Sequence, residues 1–147
     1  MYNQILIPYD GSDEAKKGAK HGIELAAALG AGVHGLYVID LPGTPRALAL
    51  RDDEEQMRED YRNYGDEVLG ELSELASEHG VDYTTAMRTG TPSEEIVDYA
   101  EDEGMDAIVM GSAYRGKIGG LLGGTMDKVV RTATVPVISQ RMQMDDI

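Results

Sequence analysis

Apolar runs rich in β-branched residues alternate along this chain with amphipathic stretches of helical period, and that alternation leaves few ways to fold. Parallel strands need long crossovers, the crossovers are right-handed, and the helices that make them then cover the sheet. The expected fold is α/β: a single-domain open five-stranded parallel sheet over residues 1–147 with helices on both faces. Two doubly wound orders differ in detail; in the order 3-2-1-4-5 the first and fourth strands lie side by side where the winding reverses. Ligands of open sheets bind outside the carboxyl ends of the strands at that point, where Asp10 and Gly111 are placed.

Ile5-Leu6-Ile7 starts the first strand, and Asp10-Gly11-Ser12 turns into a helix with Ser12 as N-cap and Asp13 and Glu14 in its first turn. Ala15, Ala19, Gly22, Ile23, Ala26 and Leu29 share one face of that helix, and Gly30 is its expected stop. Residues 33–39 read as a strand buried on both sides. Residues 40–57 break the rhythm, with Pro42, Gly43 and Pro45 followed by an acidic run. A long helix then carries Tyr61, Tyr64, Val68, Leu72, Leu75 and Ala76 at three- and four-residue spacing before Gly80. Residues 81–88 form a third strand. Thr91-Pro92-Ser93-Glu94 predicts a helix start with Thr91 as N-cap and Glu94 completing a capping box, and Ile96, Val97 and Ala100 face inward. Residues 107–110 form a fourth strand, 125–133 a short helix with Met126, Val129 and Val130, and Pro136-Val137-Ile138 the last strand.

Charge narrows the function classes. The sequence has 27 Asp and Glu against 13 Lys and Arg, a formal net charge of −14. Phosphate backbones are bound by clustered Lys and Arg, so nucleic acid is excluded as an expected partner. The acids imply a solvated surface whose self-repulsion is screened by salt, which reads as adaptation to a salt-rich cytoplasm. No run approaches the roughly 18 apolar residues of a membrane span, and no secretory signal is visible at the N-terminus, so the expected location is cytoplasmic without membrane attachment. With no Cys, disulfides and thiolate metal sites are excluded. His21, His34 and His79 share no ligand spacing and read as surface or partly packed residues. Asp106 reads as a strand start and Asp127 as a helix N-terminal residue; no catalytic base, nucleophile elbow or protein metal site is assigned.

The densest chemistry lies after the fourth strand, where glycine recurs at 111, 116, 119, 120, 123 and 124. Such a loop, ending at Gly124-Thr125 where a helix opens, brings backbone N–H groups and a positive dipole end to one place. Gly111-x4-Gly116-Lys117 begins like a P-loop, but Ile118 stands where a magnesium-holding Ser or Thr is needed.

Taken together, Ile7-Pro8-Tyr9-Asp10-Gly11-Ser12, Val109-Met110-Gly111-Ser112, Leu121-Leu122-Gly123-Gly124-Thr125, Val129-Val130-Arg131 and Val135-Pro136-Val137 resemble the universal stress protein family over nearly the whole chain. Its nucleotide-binding members carry Gly-x2-Gly-x9-Gly-(Ser/Thr); Gly111, Gly124 and Thr125 match, while Tyr114 replaces the second glycine. A tyrosine there brings a Cβ and a ring where glycine lets phosphate touch backbone, and Gly116 or Arg115 offers compensation.

The resemblance implies an adenine nucleotide alpha hydrolase-like fold and ATP as ligand, with Mg2+ carried by the phosphates. It places Pro8, Tyr9, Asp10 and Val38 against adenine and ribose, and Met110, Gly111, Ser112, Gly124, Thr125 and Met126 around ribose and phosphates. The expected function is a stress-response regulator or signalling module that binds nucleotide and hydrolyses it slowly at most, acting on an unknown partner protein. The family also implies a homodimer through the last strand, residues 135–139, from Val135 to Ser139. The alternative is a nucleotide-independent dimeric interaction module with a vestigial phosphate loop; an enzyme on a small phosphorylated metabolite is a third reading.

Overall fold

The structure, a computed structural model, describes residues 1–40, 51–113 and 124–143, with side chains at 51–54 left aside. Strands β1 (Gln4–Pro8), β2 (Gly32–Ile39), β3 (Tyr83–Thr89), β4 (Ala107–Ser112) and β5 (Val137–Arg141) alternate with helices α1 (Asp13–Leu29), α2 (Arg51–Glu78), α3 (Pro92–Asp102) and α4 (Thr125–Thr132). Every pairing is parallel, as the alternation of runs predicts, and the sheet order is β3-β2-β1-β4-β5, the doubly wound order that puts β1 beside β4.

Successive strand side chains point to opposite faces, which sorts the core into two halves. Ile5, Ile7, Tyr9, Val33, Tyr37, Ile39 and Val109 pack with Ile23 and Ala26 of α1 and with Val68, Leu69 and Leu72 of α2. Leu6, Leu36, Ile108 and Met110 face the other way, onto Ile96, Tyr99 and Ala100 of α3 and Val129 of α4. A fully buried Ile or Leu of this kind contributes about 1.5–3 kcal/mol, so the central strands carry much of the stability.

Local signals decide the boundaries unevenly. Ser12 caps α1 as expected, its side chain accepting from the Ala15 N–H at 3.2 Å, and Gly30 ends the helix in the left-handed region at φ 69°. Thr91 also sits at the N-cap of α3 but makes no side-chain cap bond, so the predicted capping box is not formed. Pro92 at the helix start removes one free donor by itself. Leu29, expected on the buried face of α1, is 49% exposed, and Val130 of α4 is 55% exposed, because each stands at the end or the outer side of its helix where no strand lies beneath it. The acidic run after residue 51 belongs to α2 instead of to a break in the pattern. Strand β3 begins two residues later than expected. The last strand runs on to Arg141: Pro136 has no N–H for the ladder, and its carbonyl accepts from Ile108 N–H at 2.9 Å just before β5 begins.

The junction of β1 and β4 is fastened at its start by Asp106. Its Oδ2 accepts from the N–H groups of Asn3 and Gln4 at 2.8 and 2.9 Å, and these bonds hold the carboxyl below its ordinary range. At its other end the junction depends on close approach of main chains. A Cβ on Gly18 of α1 would overlap the backbone of Met110 and Gly111, and one on Gly111 would overlap the backbone of Glu14. Neither obstacle is a flexible side-chain end, so α1 can cross β4 at this depth only with glycine at both positions.

Gly18→Ala tests that contact. Helix propensity alone would stabilise the variant by about 1 kcal/mol, whereas forced overlap of main chains costs about 1–3 kcal/mol or more. The expected result is net destabilisation in a urea melt, and a variant as stable as the parent would contradict the packing.

Candidate functional site

Because β1 and β4 send their following segments to opposite faces, a crevice opens at their carboxyl ends. It is a cleft of about 710 Å³, within the roughly 300–1,000 Å³ of small-molecule sites. Pro8, Tyr9, Asp10, Val38, Met110, Gly111, Ser112, Gly124, Thr125 and Met126, all singled out in the sequence, line it together. Arg115, the remaining candidate, and Tyr114 lie outside the described residues.

The floor is apolar and belongs to the α3/α4 face of the sheet: Leu36 and Val38 from β2, Pro8 from β1 and Met110 from β4, with Ile96 of α3 and Met126 of α4 above. Tyr9 divides between the two faces of the sheet. It follows Pro8, so its side chain falls on the opposite face, where it is 5% exposed and its hydroxyl donates to Glu71 Oε2 of α2 at 3.1 Å. Burial first, and then this bond to a carboxylate, push the phenol well above its ordinary pKa. Its ring is committed beneath the sheet, which leaves its main chain for the cleft.

Polar groups line the rim. Asp10 Oδ1 accepts from Ser12 N–H at 2.9 Å, the turn-forming bond expected of an Asp before Gly, and its second oxygen remains as an acceptor. The Asp10 carbonyl accepts from the Tyr64 hydroxyl at 2.9 Å, so α2 holds the turn from outside. Gly11 within it has φ 81° and lies where a Cβ would meet Val68 and Tyr64. Ser112, buried at the end of β4, is 3.2 Å from Ser139 Oγ to Oγ. At α4 the N-cap is Gly124, which has no side chain to cap the first turn. Among the described residues its leading N–H groups are therefore left to an anion, with the positive dipole end behind them.

Sequence reading missed Glu14, Pro92, Asp127 and Arg141 as lining residues. Asp127 and Pro92 were read only as helix-start signals. Arg141 was legible from strand alternation: Val137 packs on the α3/α4 face, so 139 and 141 share it if the strand continues that far. The histidines lie elsewhere. His34 Nδ1 is 2.7 Å from the Tyr99 hydroxyl, and burial lowers its pKa against the opposing pull of Glu103; His79 Nδ1 contacts the Leu75 carbonyl at 2.9 Å.

A model of the universal stress protein family matches residues 1–139. The chain belongs to the universal stress protein family. It is 37% identical over 144 residues to the universal stress protein MJ0531 of Methanocaldococcus jannaschii, covering 94% of this chain and 81% of that one. The solved structure of MJ0577 from the same organism superposes with a TM-score of 0.73 at 29% identity, covering 97% of each chain. A universal stress protein from Archaeoglobus fulgidus, solved in complex with dAMP, shares the fold at a TM-score of 0.63 and 23% identity, covering 94% of this chain and 97% of that one. The architecture is thus the adenine nucleotide alpha hydrolase-like fold.

The cleft of this universal stress protein joins an apolar slot, the Asp10 carboxylate and the Ser112 hydroxyl to the start of α4. Among the described residues no three His, Asp or Glu side chains converge as a metal site. No helix among the described residues is long and apolar enough to cross a membrane.

Tyr9→Phe separates the two faces of the sheet at this position. Loss of the Glu71 bond is expected to lower stability by about 1 kcal/mol in a urea melt. Affinity for any ligand of the cleft should stay within about twofold, and a larger loss of affinity would place the Tyr9 ring in the site.

Proposed function

We propose that this universal stress protein binds an adenine nucleotide, ATP with Mg2+ on its phosphates being the reference ligand, at the β1/β4 switch point, and acts as a cytoplasmic stress-response regulator that signals through its nucleotide state to a partner protein. The observation that carries this reading is the joining of an apolar floor to an uncapped helix N-terminus in one cleft. Strand spacing supports the orientation. From β2 through β1 and β4 to β5 the cleft spans three spacings, about 14 Å, long enough for base, sugar and phosphate in turn. The base lies over Leu36, Val38 and Pro8, the ribose reaches Asp10, and the phosphates face Gly124, Thr125 and Ser112.

Binding is the function and hydrolysis, if any, is slow. Asp10, Glu14 and Asp127 are the carboxylates at the cleft, and Asp10 is already engaged in its turn. The net charge of −14 makes molar potassium chloride the appropriate medium, since it screens self-repulsion.

Calorimetric titration of ATP with magnesium into the nucleotide-free protein in molar potassium chloride should give saturable micromolar binding. Gly124→Asp puts a carboxylate at the N-cap of α4, against the incoming phosphate, and should weaken binding by at least about tenfold. Absence of binding to the parent protein, with no nucleotide already aboard, would favour the nucleotide-independent module.

A homodimer through residues 135–139 is the second part of the proposal, and it rests on β5 lying at an edge of the sheet, where a second copy can pair. Light scattering in molar salt should give twice the 15.9 kDa of one chain; a monomer at all concentrations would remove this part.

A further inference from the structure

We infer that Arg141 is the phosphate-selecting residue of the cleft, the group that makes the site prefer phosphorylated nucleosides to the free nucleoside. The inference rests on the nucleotide reading above and adds to it a residue and a specificity.

Arg141 is the one cationic side chain among the described residues lining the cleft, whose lining also includes Asp10, Glu14 and Asp127. Its placement is set by the ladder. Arg141 is in register with Ser112, the last residues of β5 and β4. Val137 of β5 packs into the α3/α4 cluster, and a period of two puts Ser139 and Arg141 on that same face. The contact between Ser112 and Ser139 Oγ atoms at 3.2 Å fixes the preceding rung, and Met142 N–H donates to the Ser112 carbonyl at 2.9 Å just beyond. The backbone of Arg141 is thus pinned on both sides while its side chain is exposed.

Within the cleft, Nη1 donates to the Ala113 carbonyl at 3.5 Å, the outer limit of a hydrogen bond. That contact turns the guanidinium over the end of β4 and engages one of its five N–H donors weakly. A phosphate oxygen is a better acceptor than a distant carbonyl, and Arg matches two such oxygens in a fork. Three carboxylates at the rim oppose any anion that enters, so an anionic ligand needs a fixed positive group at contact. A neutral nucleoside does not. Asp10 lies after β1 and Arg141 at the end of β5, two strand spacings apart, about 10 Å. That separation places the cation at the phosphate end of a nucleotide whose ribose sits at Asp10.

The test is calorimetry on the full chain in molar potassium chloride with adenosine, AMP, ATP with magnesium, and tripolyphosphate, for the parent, Arg141→Ala and Arg141→Lys. The alanine variant should lose at least about tenfold in affinity for AMP and ATP, about 1.4 kcal/mol, with adenosine affinity within about twofold of the parent. Unchanged adenosine binding also shows that β5 and the cleft have folded. Lysine should recover part of the loss, because it restores the charge without the fork. Equal AMP affinity in parent and alanine variant would overturn the inference while leaving the nucleotide reading intact, and so would a parallel loss of adenosine. If the parent binds no adenosine and no nucleotide, the nucleotide reading itself fails. Tripolyphosphate then decides for Arg141: binding that disappears in the alanine variant supports an anion site at this residue, and binding that is absent or unaffected overturns it.

Discussion

The side-by-side placement of β1 and β4 is the constraint from which the cleft follows. The two strands send their following helices to opposite faces, α1 to one and α4 to the other, so the segments leaving their carboxyl ends diverge and cannot fill the space between them. Two fastenings hold the pair. Asp106 ties the amino end of β4 to the start of β1 through two N–H groups, and the Gly18–Gly111 approach seats α1 beneath the carboxyl end of β4. Glycine at 111 therefore has a packing reason that is independent of any ligand. Its presence in a phosphate-binding pattern is weaker support for a nucleotide than the uncapped start of α4.

The cleft is graded along the sheet. Its β2 end is apolar, its β1 rim carries Asp10, and its β5 end carries Arg141 next to the first turn of α4. A ligand with one flat apolar end and one anionic end is favoured in one orientation by that gradient, and the reverse orientation would bring phosphate to the apolar β2 end. The turn at Asp10 is also read from behind: Tyr64 holds its carbonyl and Tyr9, the residue before it, reaches Glu71. Helix α2 thus contacts the cleft's wall twice from the far side of the sheet, through groups that do not touch the ligand's space.

Much of this was legible in the sequence, for identifiable reasons. The parallel sheet covered on both faces follows from alternating runs and crossover handedness, which act over the whole chain and tolerate small errors in any one element, while the strand order that sets the switch point came with the family resemblance. Ser12 capped its helix because a short side chain at an N-cap meets the nearby N–H with no help from tertiary structure. Thr91 had the same local signal and made no such bond. The resemblance puts Tyr9 against adenine and ribose without naming its atoms; Tyr9 lines the cleft, and period-two alternation from Pro8 puts its ring beneath the sheet. Strand alternation gives the face of Arg141 only if β5 runs that far, and the strand's length is set by pairing with β4 out to Ser112, a long-range fact.

A chain with a formal net charge of −14 is an unpromising receptor for an anion if its charges are summed at long range. The sum is the wrong quantity in concentrated salt. At 1 M ionic strength the Debye length is about 3 Å, so carboxylates on the outer faces of α2 and α3 contribute little at the cleft, while groups in direct contact with the ligand are barely screened. What remains is a local comparison between the carboxylates at the rim and the guanidinium with the N–H groups of α4. Hydrogen bonds to a phosphate are made at contact and are directional, whereas the carboxylates oppose it through solvent. The acidic surface and an anion-binding cleft are therefore compatible in salt. At low ionic strength, where the Debye length grows to about 30 Å at 0.01 M, the same surface reaches the site and works against the ligand.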